Sequence, residues 1–191
     1  MPRLALLVLF LGGLSACAGG ATRMADLGDF HLGHNIVVAP NLVKGPASRE
    51  ASAEELIDAL KAAIEDRFGQ HEGTRLYHLG ISVEGYVLAR PGLPVIAAPK
   101  SLLVVRVTVW DDAAARKLTA RPERFIVTET LSGSTIVGSG MTLTRDEQIA
   151  ALSRNAARRI ETWLARQKEQ QGWFGEKGDA ARVSAAPSGD A

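Results

Sequence analysis

Residues 102–110 read LLVVRVTVW, and their alternation decides the fold. Leu103, Val105, Val107 and Val109 fall on one side, Arg106 and Thr108 on the other. That is the two-residue period of a strand with one covered face. Upstream, residues 79–89 (LGISVEGYVLA) repeat the pattern. There Leu79, Ile81, Val83, Val87 and Ala89 alternate with Ser82, Glu84, Tyr86 and Leu88, and His78 precedes them on the second side. Downstream, 124–131 and 134–142 are β-rich and flank Ser132-Gly133, a two-residue hairpin turn. Near the start, Ile36-Val37-Val38, closed by Pro40, predicts a short buried strand over 35–39.

Two segments carry the helical period instead. Ser52-Ala53-Glu54-Glu55 is a capping box, in which Ser52 accepts from the Glu55 amide and the Glu55 side chain reaches back. Leu56, Ile57, Leu60, Ile64 and Phe68 then recur at helical spacing up to Gly69, which predicts a helix over 53–68. Thr144-Arg145-Asp146-Glu147 is a second capping box. After it Ile149, Leu152, Ala156, Ile160, Trp163 and Leu164 form a stripe to about residue 167. The first helix is acidic (Glu54, Glu55, Asp58, Glu65, Asp66) and the second leans basic (Arg145, Arg154, Arg158, Arg159, Arg166), so the two complement each other side by side.

The order is β-α-β-β-β-β-α. Neither helix can bury its stripe except against the sheet. The expected fold is α+β: a mostly antiparallel sheet of four to five strands, with both helices on one face. The expected boundaries are 1–16 leader, 17–29 tether, 30–167 single domain, and 168–191 disordered tail with Trp173-Phe174 as a weak anchor.

The chain has 191 residues, room for one domain with tails. Lys+Arg is 22 against Asp+Glu 21, so there is none of the basic excess of a nucleic-acid binder. Hydrophobic residues make up 46%, which excludes wholesale disorder. A single cysteine excludes an internal disulfide framework and any multi-cysteine zinc cluster.

That cysteine is Cys17. Residues 1–16 (MPRLALLVLFLGGLSA) hold one positive charge, Arg3, and an apolar run from Leu4 to Leu11. The run is too short for a bilayer, which needs about 20 residues, and fits a signal peptide. Leu14-Ser15-Ala16-Cys17 resembles the lipobox of bacterial lipoproteins. The resemblance implies cleavage before Cys17, a diacylglycerol thioether on its sulfur, and acylation of its new amine. Each buried CH₂ contributes about 0.8 kcal/mol, so several acyl chains anchor a protein almost permanently. Two other readings stand beside it: cleavage after Ala18, with Ala16-Cys17-Ala18 as an A-x-A site, and a buried cysteine of no role. Ala18 and Gly19 follow the cysteine with no Asp, which resembles the class of lipoproteins sorted to the outer membrane. Loss of Arg3 with the leader leaves basic and acidic residues in equal number. A neutral body has no overall electrostatic reason to lie on an anionic surface. The element order over 35–167 resembles that of small periplasmic lipoproteins with a two-helix, four-strand sandwich, among them the lipopolysaccharide-assembly lipoproteins. The body is also similar to an uncharacterised family of envelope lipoproteins.

Motifs of chemistry are sparse. His31 and His34 form H-x-x-H, with His71 and His78 elsewhere, but Gly33 and Asn35 argue against a shared helical face. Residues 133–140 (GSTIVGSG) have the glycine spacing of a P-loop, yet Ser139 and Gly140 replace its lysine and its Ser/Thr. No serine sits in G-x-S-x-G. Asp111-Asp112 has the carboxylates to bind a cation, but such a pair more often ends a strand and caps the next turn. No cofactor, metal or catalytic residue is expected.

One segment is anomalous. Residues 89–101 (ARPGLPVIAAPKS) join two strands, where hairpin loops run 2–5 residues. The segment is apolar, with Pro91, Pro94 and Pro99, and Leu93, Val95 and Ile96 are costly to leave in water. It reads as a flap on the core, as an irregular edge strand, or as a partner-docking loop. The sequence therefore points to a non-catalytic lipoprotein of the outer membrane, facing the periplasm and acting through an envelope protein partner. The alternatives are a binding module for a small hydrophobic ligand and a periplasmic hydrolase.

Overall fold

A computed structural model of the chain describes residues 24–90, 101–128 and 143–175. Cys17, the segment holding Leu93, Val95 and Ile96, and the hairpin turn at Ser132-Gly133 lie outside the described residues. So does the P-loop-like stretch.

The elements are β1 (Phe30–Val38), β2 (Val43–Lys44), α1 (Ala53–Phe68), β3 (Arg75–Val87), β4 (Leu102–Asp111), β5 (Arg116–Lys117), β6 (Glu123–Thr128) and α2 (Arg145–Gln171). The fold is α+β, with two helices on one face of a six-stranded mixed sheet. Six strands fill four positions. β1 and β2 follow one another along one edge of β3, and β5 and β6 along the far edge of β4. β3, β4, β5 and β6 pair antiparallel, as expected, whereas β1 and β2 run parallel to β3. Parallel neighbours need a crossover connection, and α1 is that crossover.

Both capping boxes form. Ser52 N–H donates to Glu55 Oε2 at 2.8 Å, and Glu55 N–H returns to Ser52 Oγ at 3.1 Å. Thr144 N–H donates to Glu147 Oε2 at 2.7 Å, and Glu147 N–H to Thr144 Oγ1 at 3.2 Å. The stripes then face the sheet. Leu56, Leu60, Ile64 and Phe68 of α1 and Leu152, Ala156, Ile160 and Leu164 of α2 are buried against Leu79, Ile81 and Val83 of β3 and Val105, Val107 and Val109 of β4.

The structure corrects the sequence reading in four places. First, β1 is an edge strand of nine residues, not a buried strand over 35–39; Val37 is covered while Ile36 and Val38 are exposed, because α1 covers one face only. Second, Tyr86 and Leu88 are buried. Val83 pairs with Val105 but Gly85 with Val104, so Glu84 is an extra residue, and this bulge turns the following alternation over. Tyr86 Oη accepts from Ala51 N–H at 3.0 Å and donates to Ala51 O at 2.9 Å, which fixes the entry to α1. Third, the body begins before Phe30: Leu27 is buried and Ala25 N–H donates to Glu161 Oε1 at 3.0 Å. Fourth, α2 extends to Gln171, and Gly172 closes it in the left-handed conformation at φ 67°. Phe174 then inserts into the core beside Phe30 and Tyr77. Residues 168–175 are thus part of the body, not of a disordered tail.

Candidate functional site: a polar cleft at one pole

α1 and α2 run side by side in the same direction, locked at both ends by ion pairs. At their starts Arg145 Nη1 and Nη2 grip the Glu55 carboxylate at 2.8 and 2.5 Å. The Arg145 guanidinium beside it holds the Glu55 carboxyl well below its usual range, at about 2. Toward the other end Arg67 Nε and Nη2 donate to Glu161 Oε2 at 2.8 and 2.5 Å. Glu161 is almost fully buried, and its other oxygen takes the Ala25 amide. His71 Nε2 lies 3.9 Å from that same oxygen and has no hydrogen-bond partner among the described residues. Burial pushes the His71 pKa down, against the pull of Glu161.

The Arg67–Glu161 pair sits at the pole where the two ends of the described body meet. Asp29 N–H donates to Phe174 O at 3.2 Å, and Lys168 Nζ donates to Asp26 Oδ2 at 2.7 Å. A Cβ at Gly28, whose φ is 68°, would stand 2.3 Å from Gly175 O, so only glycine permits this approach.

Here too a cleft of about 380 Å³ opens between the sheet and the end of α2. Its floor is set by strand register: Tyr77 opposes Asp111, which opposes Arg116, so the three project from one face of three neighbouring strands. Arg75 and the stretch Gln171–Phe174 complete the walls. Arg75 lies over the Tyr77 ring, 5.8 Å from its centroid, and donates from Nη2 to Asp111 Oδ2 at 3.1 Å. Asp111 is buried, and its Oδ1 takes the Ala114 amide at 3.1 Å, the turn cap expected of this residue. Arg116 is exposed and makes no ion pair among the described residues. Burial raises the Tyr77 phenol pKa. Two guanidiniums against one carboxylate, with a phenol and an indole in the walls, suit an oxyanion better than an apolar ligand.

The histidines of the H-x-x-H do not act together. A bulge at Gly33-His34 separates them, and the His34 ring instead lies tilted against His78, ring centroids 4.7 Å apart. His34 N–H donates to His78 Nδ1 at 2.8 Å, so the His78 proton is on Nε2, which donates to Asp112 Oδ1 at 3.0 Å. Among the described residues no three His, Cys, Asp or Glu side chains converge on a metal-sized site, and no helix is long and apolar enough to cross a membrane. The sheet face away from the helices carries exposed apolar side chains: Ile36, Val38, Leu76, Trp110 and Ile126.

No protein-family model matches the chain, and no curated protein matches it. Among solved structures it is similar to a Caulobacter crescentus CB15 protein provisionally named a lipoprotein, at 15% identity over 69% of this chain and 90% of that one, TM-score 0.37. It is similar to protein XCC0632 from Xanthomonas campestris at 13% identity over 75% and 87%, TM-score 0.39. A minor lipoprotein from Acinetobacter baumannii matches at 18% identity over 72% and 94%, TM-score 0.28. These are loose overlaps of arrangement, and the functional reading rests on the chain's own residues.

Proposed function

We propose that this chain is a lipid-anchored envelope protein. It is acylated at Cys17, held at the outer membrane facing the periplasm, and works by holding a partner rather than by catalysis. The observation that carries the reading is the run Leu14-Ser15-Ala16-Cys17, which follows an apolar leader and contains the only cysteine of the chain. The body fits such a role: it begins within ten residues of Cys17, at the buried Leu27. The partner surfaces are the 89–101 segment, through Leu93, Val95 and Ile96, and the outer sheet face with its edge strand β1. An uncharged edge strand such as β1 is a template for another strand. The test is fractionation of cells expressing the full chain. The wild type stays with the outer membrane through salt washing, and Cys17→Ser is released or left as uncleaved precursor. A Cys17→Ser protein that is processed and retained like wild type contradicts the anchor.

A second reading has its own observation. A binding module for a small ligand gains support from the convergent Arg75, Tyr77, Asp111 and Arg116, although the cleft they line is polar and lies at one pole. The space between helices and sheet is filled by buried side chains, which speaks against the small hydrophobic ligand kept as an alternative from the sequence.

A further inference from the structure

The polar cleft and the start of the described body belong to the same pole. Gln171–Phe174 form a wall of the cleft, and Phe174 O accepts from Asp29, five residues after Met24. Met24 stands seven positions after Cys17. Seven residues span at most about 25 Å when fully extended. Acyl chains on Cys17 therefore keep this pole near the bilayer surface.

The charge there departs from the balance of basic and acidic residues in the chain after the leader. Arg75 engages Asp111 through Nη2, Asp111 is satisfied by Arg75 and the Ala114 amide, and among the described residues Arg116 is left as the unbalanced charge. Trp173, half-buried in the wall, stacks edge-on to Trp163 at 5.6 Å. Indole rings favour the headgroup level of a bilayer, and guanidiniums bind phosphate in a planar, forked geometry. Two features oppose a doubly charged ligand: the Asp111 carboxylate, and the C-terminal end of α2 with its partial negative charge.

We infer that this cleft takes the singly charged phosphodiester of an anionic phospholipid, so that the body docks on the membrane pole-first as well as hanging from it. The inference rests on the anchor at Cys17 for its orientation.

The test uses the acylated protein in phosphatidylglycerol vesicles whose headgroups carry a spin label, with tryptophan quenching as the readout. Trp173→Phe identifies the share of Trp173. The expected result is strong quenching of Trp173, falling several-fold in Arg116→Gln and at about 1 M salt, where the Debye length is about 3 Å. Retention on the vesicles stays unchanged, because it depends on Cys17. Arg116 is exposed, so its variant folds. Absent quenching, or quenching indifferent to Arg116→Gln, overturns the inference. A Trp173 emission shift with inorganic phosphate but no quenching by vesicle lipid also overturns it, since the site then serves a soluble anion. Failure of the wild type to stay on the vesicles overturns the anchor and this inference together.

Discussion

Phe174 packs edge-on against Tyr77, ring centroids 4.8 Å apart and planes at 81°, and so closes the core from beyond the end of α2. Phe30 completes the trio, stacked on Tyr77 at 5.6 Å and edge-on to Phe174 at 5.2 Å. Deleting a buried phenylalanine side chain costs about 3–5 kcal/mol. Phe174→Ala, or a chain ending at Gln167, is therefore expected to lose much of its stability in thermal and denaturant unfolding. A melting temperature within a few degrees of wild type would show that this aromatic cluster does not close the core.

Ile64 and Ile160 are both completely buried, one mid-stripe on each helix. Truncating either to Ala is expected to cost about 2–5 kcal/mol, a large share of a small domain's stability. Either Ile→Asp change should unfold the domain, as read by circular dichroism. A stable Asp variant would mean that its helix turns another face to the sheet.

Both stripes were legible because each opens with a capping box that fixes the first turn and then keeps one period. β4 was legible for the same reason: Leu103, Val105, Val107 and Val109 all lie on the core side. What escaped the sequence was non-local. The bulge at Glu84 leaves no local mark, yet it moves Tyr86 and Leu88 to the core. The parallel pairing of β1 with β3 depends on where α1 carries the chain, not on either strand's composition. The two-residue strands β2 and β5 are too short to show a period. Phe174 had one available signal: Gly172 followed by Trp173-Phe174 is a left-handed cap with an apolar residue beyond it, a common helix ending. The cleft was illegible because Arg75, Asp111 and Arg116 come from three strands and meet only through register.

Arg67 and Glu161 form a pair with little access to water. Removing one partner of such a pair costs about 3–5 kcal/mol, because the other charge is left buried. Arg67→Ala should show a loss of that order in urea unfolding. A loss below about 1 kcal/mol, the range of exposed pairs, would mean that water reaches Glu161.

His71 makes stability depend on pH in a definite direction. Its folded pKa lies below the unfolded value of about 6.5, so the unfolded chain takes up the proton first. Stability then falls as pH drops below about 6.5 and levels off below the folded pKa. His71→Gln should flatten that slope below about pH 6.5, because the glutamine side chain binds no proton there. An equal slope in wild type and variant would place the titration elsewhere.

The 89–101 segment is tested by changing two of its apolar side chains together. Leu93→Ser with Ile96→Ser is expected to leave the melting temperature in place and to weaken crosslinking to an envelope partner in intact cells. Unchanged crosslinking with a stability loss of several kcal/mol would make the segment a flap on the core, since burying each such side chain contributes about 1.5–3 kcal/mol.

The lipid anchor depends on Cys17, and metabolic labelling with a fatty-acid analogue tests it directly. The wild-type chain should take up the label and run as a shorter, acylated protein. Cys17→Ser should take up none, while Ser15→Ala, a change within the lipobox that spares the thiol, should still be labelled. Label that persists in Cys17→Ser, or a wild type that never acquires it, would contradict the lipid anchor and the membrane-facing pole built on it.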